Sequence, residues 1–221
     1  MKLWNKCDQE QDKNKLPEYF NNILNYLNAQ YDLSKFAFNK IKVYPAKNKV
    51  LKCFECDFKK LKVVFIGKKP FDDYSEGLAF DSTDEKTHLH SVAELFRYTI
   101  ENEFHNGLNL NHDYTLEYLM KQGVLLLNES LTSCTTLDHS KIWRPFIIDT
   151  LKLIQKHHTG IVFCIQEDSE YIQYIDEKLQ YVLTYKDPTK YINNFKDWGF
   201  KFSEINGILT YTNGEEYNIK F

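Results

Sequence analysis

At 221 residues, with 43% hydrophobic and 15% aromatic side chains, the chain has the apolar mass for one sizeable α/β domain spanning 1–221. No apolar run approaches the roughly 20 residues of a membrane span, and Met1-Lys2-Leu3-Trp4-Asn5-Lys6 lacks the apolar core of a signal peptide, so a soluble, cytoplasmic monomer is expected. A net charge of −3 excludes a global basic field, yet residues 1–62 carry an excess of six positive charges and the remainder a deficit of nine.

The first helix is predicted over Pro17–Leu27, where Phe20, Ile23, Leu24 and Leu27 share helical spacing behind a proline suited to a first turn. Lys40, Lys42, Lys47, Lys49, Lys52, Lys59, Lys60 and Lys62 follow as a run able to touch phosphates or simply to solvate a surface. Within it, Cys53-Phe-Glu-Cys56 has CxxC spacing. No second pair or Cys/His cluster completes a zinc site, and the odd count of five argues against a disulfide framework, so the thiols read as structural and no metal or cofactor is expected.

Val63–Gly67 is the first of four apolar runs of strand length; the others are Val124–Asn128, Ile161–Ile165 and Tyr181–Tyr185. Helices are predicted between them at Ser91–Glu103, with Ser91 placed to cap, at Tyr114–Lys121, and at Trp143–His157. Continuous apolar strands separated by helices imply a parallel sheet covered on both faces, a three-layer α/β/α sandwich with four central strands. Ligands of such sheets bind beyond the carboxyl ends of the strands. Those ends are Gly67-Lys68-Lys69-Pro70, Asn128-Glu129-Ser130, Gln166-Glu167-Asp168 and Lys186-Asp187-Pro188.

Taken together, these ends resemble the uracil-DNA glycosylase family, in the type shared by common bacterial, human and herpesvirus enzymes. Gly67-Lys-Lys-Pro-Phe-Asp72 stands where the family has GQDPYH, and Gly77-Leu-Ala-Phe80 matches the segment ending in its base-stacking Phe. Gln122-Gly-Val-Leu-Leu-Leu-Asn128-Glu-Ser-Leu-Thr132 is close to QGVLLLNxxLT, and Tyr185-Lys-Asp-Pro-Thr-Lys190 takes the place of HPSPLS. Tyr44-Pro-Ala46 and Gly199-Phe-Lys-Phe202-Ser203-Glu-Ile-Asn206 complete six segments in family order.

The resemblance implies a flipped base held in a tight pocket. Phe80 would stack on it, the Asn128 amide would read its polar edge, Phe71 would wall the pocket, and Lys68 would border it. The same resemblance exposes the losses. The family Asp that stabilises the cationic sugar and orients water is Lys69 here, and a cation about 4 Å from another costs roughly 4 kcal/mol at an effective dielectric near 20. The family His facing the departing uracil is Tyr185, whose phenol could still donate one hydrogen bond.

The DNA-handling parts are similarly altered. Ser91 remains from the proline-serine loop, Asp187 replaces a phosphate-binding Ser, Pro188 is kept, and the wedging Leu is Thr189. Lys186 and Lys190 could hold backbone or single-stranded contacts. The leading reading is therefore an impaired glycosylase homologue that binds DNA or protein, as a replication or repair accessory or as a decoy for DNA-mimic glycosylase inhibitors. The alternatives are a glycosylase/lyase using Lys69 as a Schiff-base nucleophile, and residual uracil excision.

Overall fold

The computed structural model describes residues 43–70, 75–81, 92–104, 116–134, 138–192 and 198–221. The predicted Pro17–Leu27 helix, the Ser91 cap, Phe71, Lys40 and Lys42 lie outside them. Strands β1 (Val43–Tyr44) and β4 (Ser133–Cys134) form a short antiparallel pair. Strands β2 (Val63–Gly67), β3 (Val124–Asn128), β5 (Val162–Gln166) and β6 (Tyr181–Tyr185) form the main sheet, all parallel, in the order β3-β2-β5-β6.

Every residue of β2, β3 and β5 is buried, which explains why these strands read as unbroken apolar runs rather than as alternating ones. The edge strand β6 exposes Tyr181 and Thr184, half-buries Val182 and Leu183, and fully buries only its last residue, Tyr185. Register places Gly67 opposite Asn128 and Gln166 opposite Tyr185, so the expected strand ends share one rim. β5 begins and ends one residue later than the sequence suggested, because pairing with β6 extends to Gln166.

The described helices are α1 (Val92–Phe104), α2 (Glu117–Met120), α3 (Ser140–His157) and α4 (Phe202–Asn213). On one face of the sheet Phe65 packs among Phe96 of α1 and Phe202 of α4, at centroid distances of 5.2 and 5.7 Å. Glu103 of α1 also accepts from the backbone N–H groups of Phe202 and Ser203 at 3.0 and 2.8 Å. A carboxylate from one helix thus satisfies orphan donors at the positive end of another.

α3 buries Trp143, Phe146, Ile147, Leu151 and Ile154. It starts three residues before the apolar stripe that betrayed it, because Asp138 accepts from both the N–H and the hydroxyl of Ser140 (3.0 and 2.8 Å). α2 is shorter than expected, and Tyr114 and Thr115 lie outside the described residues. Among the described residues no helix is long and apolar enough to cross a membrane, and no His/Cys/Asp/Glu group is arranged for a metal. Cys53 and Cys56 are buried thiols, and burial pushes Cys56 up to about 12, as inert structural cysteines require.

Candidate active site

The site is assembled at the carboxyl rim of the sheet. Beyond β2 and β3 the main chains stay paired: Glu129 N–H donates to the Gly67 carbonyl at 2.7 Å and Ser130 N–H to that of Lys68 at 3.0 Å. Ser133 Oγ then donates to the Pro70 carbonyl at 2.6 Å. The Gly67–Pro70 turn is therefore fixed through its backbone.

Gly67 has no side chain for a steric reason. A Cβ there would stand 2.8 Å from Asn128 Oδ1 and 2.9 Å from Ala79 Cβ. The Gly77–Phe80 segment thus lies directly on the β2–β3 junction, tied by Ala79 N–H to the Leu126 carbonyl at 3.0 Å. Its entry is equally tight. Gly77 sits at φ +82°, with Lys49 O only 1.9 Å from where a Cβ would be.

Glu76 next to it binds Lys49 at 2.5 Å and Lys52 at 3.4 Å, and Lys52 also binds Glu117 at 2.5 Å. Burial opposes ionisation of Glu76, but the two ammonium groups outweigh it and hold the carboxyl below its usual range. Lys49 and Lys52, expected as candidates for phosphate contact, are instead internal braces of this segment.

Phe80 ends the segment in a left-handed conformation, φ +64°, which a residue with a Cβ adopts only under constraint. The constraint is visible. One ring face stacks on Phe96 (4.8 Å, 17°), and Phe65 and Tyr185 meet the ring edge-on at 6.2 and 5.8 Å. The next residue, Asp81, has its carboxylate fully buried 3.7 Å from Arg97 of α1. Phe80 is 4% exposed and belongs to the aromatic core. Asn128, 4% exposed, ends β3 opposite Gly67, its Oδ1 beside the place a Gly67 Cβ would take.

The two positions of altered chemistry differ in placement. Lys69 is exposed, close enough to Asp138 and His139 for its charge to be felt at both. Exposure weakens the repulsion expected from the sequence, from roughly 4 towards roughly 1 kcal/mol in water at about 4 Å.

Tyr185 is 3% exposed, its ring enclosed by Phe80, Trp198 and Phe200, and its hydroxyl donates to the Ile66 carbonyl. Burial, with the Glu129 carboxylate nearby, holds the phenol well above its ordinary value. The expectation that this hydroxyl could serve a leaving base is corrected: its single hydrogen is already committed to the main chain.

Lys68 is exposed as well, its Nζ 3.3 Å from Glu129 and 3.8 Å from Asp168, so it leans on a carboxylate cluster rather than on Asn128. Glu129 also accepts from Ser169 Oγ at 2.5 Å. Burial pushes its carboxyl up, with Ser169 and Lys68 offsetting only part of that. Sequence reading missed Glu129 and Ser169, whose polar character beside an apolar strand end was the available signal.

The turn after β6 is locally satisfied. Asp187 accepts from the N–H and hydroxyl of Thr189 (3.1 and 2.7 Å) and faces Lys190 at 3.8 Å, while Lys186 lies over the Tyr191 ring at 5.5 Å. Pro188 is buried beneath this turn.

A uracil-DNA glycosylase of Mesomycoplasma hyopneumoniae is 31% identical over 201 residues, covering 86% of this chain and 86% of its own length. The chain belongs to the uracil-DNA glycosylase family. A second member, from Fusobacterium nucleatum, is 29% identical over 87% of this chain and 84% of its own. No protein-family model matches the chain.

The fold agrees. The mimivirus UNG Y322L variant, solved in complex with UGI, superposes with a TM-score of 0.65 at 15% identity, over 97% of this chain and 86% of that one. The enzyme of Nitratifractor salsuginis follows at 0.51 and 17% identity, covering 94% and 96%. Within this fold, the Gly67–Pro70 turn and the Lys186–Lys190 turn stand at the ends of β2 and β6.

Proposed function

We propose that this family member is impaired in uracil excision and works as a binding module that keeps a base-sized recognition site. The supporting observation is the pair of changes at the rim. Lys69 presents an exposed ammonium where the family turn carries a water-orienting carboxylate, and the Tyr185 hydroxyl is consumed by the Ile66 carbonyl. Against this stand the amide of Asn128 and the constrained ring of Phe80, both buried at the carboxyl rim of the sheet, which retain the means to stack on a base and read its edge. DNA would be held through backbone contacts of Lys186 and Lys190, without insertion of a wedge at Thr189. The protein would act as a cytoplasmic monomer beside replication or repair proteins.

The complex of the mimivirus relative with the glycosylase inhibitor UGI supports a further role as a decoy for a DNA-mimic inhibitor. The deciding experiment incubates the protein with uracil-containing and abasic oligonucleotides, single- and double-stranded. No product is expected from either. The triple change Lys69→Asp, Tyr185→His, Thr189→Leu should recover more excision than Lys69→Asp alone. Robust excision by the native protein, lost in Asn128→Ala, would overturn the proposal, and strand cleavage at abasic sites lost in Lys69→Ala would replace it with the lyase reading.

A further inference from the structure

The lysine run is divided by the fold, and its second half lies at the opposite end of the sheet from the base site. Lys60 and Lys62 precede β2, and the Lys62 N–H donates to the Gly123 carbonyl at 2.9 Å, at the amino end of β3. Gly123 sits against the Lys60 carbonyl so closely that a Cβ would lie 1.9 Å from that oxygen, which brings Lys121 alongside. Gln122 then pairs with the backbone of Lys220 through both amide atoms, at 2.9 and 2.8 Å. Lys62 Nζ donates to the Tyr217 carbonyl at 2.9 Å and lies 5.3 Å from the centre of that ring.

Lysines 60, 62, 121 and 220 are thus drawn from three distant segments to one end of the sheet, with Lys62 beside the ring of Tyr217, which is 43% exposed. Among the described residues, Lys62, Lys121 and Lys220 form no ion pair, and Lys60 has only the exposed Asp57 at 3.2 Å. Glu215 and Glu216, exposed on the turn that carries Tyr217, pair with none of them. Burial, and to a lesser degree the neighbouring Lys60 ammonium, lower the Lys62 pKa.

We propose that Lys60, Lys62, Lys121 and Lys220, with Tyr217, form a second nucleic-acid surface that holds the phosphodiester backbone of a single strand while the tyrosine ring stacks on a base. Flexible ammonium groups beside an exposed ring suit a strand whose bases are unpaired, since every base offers a face to stack on. An acidic protein would match the charge but leave the ring without that partner. The surface is independent of the base site, at the other end of the strands.

The test uses the full chain and a fluorescein-labelled oligo(dT) of 20 nucleotides without uracil, followed by anisotropy across a salt series. Lys60→Glu/Lys121→Glu/Lys220→Glu should weaken binding at least tenfold and flatten the log-log salt slope by about two, the loss of three single-strand phosphate contacts. Tyr217→Leu should weaken binding about fivefold or more with the slope unchanged. The corresponding triple glutamine variant should give the same direction with less risk to folding, checked by melting. Titration with free uracil should be unaltered in these variants, which separates failure here from failure of the base site. Unchanged affinity and slope in both triple variants, or binding to an acidic protein with none to oligo(dT), would overturn the proposal.

Discussion

Removing one oxygen atom at Tyr185 should destabilise the protein without touching its recognition chemistry. Tyr185→Phe deletes a hydroxyl that is buried with its ring and bonded to the Ile66 main chain. The aromatic contacts to Phe80, Trp198 and Phe200 survive, so no cavity larger than an oxygen is created. What remains is a buried carbonyl stripped of a donor, worth about 1–3 kcal/mol. For a chain of this length each kcal/mol lowers Tm by roughly 2–4 °C. Differential scanning fluorimetry reads that fall, and an NMR titration with uracil should show the same weak binding in both proteins. A variant that melts with the parent, or that loses uracil binding while its stability is unchanged, would refute the inward commitment of the phenol.

Gly67→Ala should cost about 1–3 kcal/mol through overpacking against Ala79 and Asn128, and should weaken uracil binding because the amide is displaced; melting and the same titration check both. Glu129→Gln should change the pH dependence of stability. The Glu129 carboxyl is raised by burial in the folded state, so its contribution is present below the ordinary carboxylate pKa and is lost as pH rises through the folded value. Melting temperatures from pH 4 to 8 should therefore decline less with pH in the glutamine variant than in the parent, and parallel profiles would contradict the assignment.

β2, β3 and β5 were legible because burial on both faces writes a parallel strand as an uninterrupted apolar run; Val63–Gly67 and Val124–Asn128 matched to the residue, as did the edge strand Tyr181–Tyr185. The start of α3 was hidden because its first turn is polar, with Ser140 held by Asp138 ahead of the apolar stripe. Candidate site positions were readable only as residue types. The bond from Tyr185 to a carbonyl 119 residues earlier has no local signature, so a phenol that looked available proves to be spent. The lysine run could not be sorted from sequence for the same reason: Lys49 pairs with Glu76 and Lys62 is set beside Tyr217, neither of them a sequence neighbour.

The main chain around Lys68 and Lys69 is anchored by Glu129 N–H, Ser130 N–H and the Ser133 hydroxyl, none of which touches the two lysine side chains' own ammonium groups. The turn is thus a chassis whose cargo can be exchanged. A lineage can trade a carboxylate for an amine at position 69 without refolding the loop, and can trade it back by the same route. Tyr185 is different, since its ring and hydroxyl are built into the interior and any exchange there must unpick that packing first. The two positions therefore differ in constraint: one is a surface choice, and the other is part of the architecture.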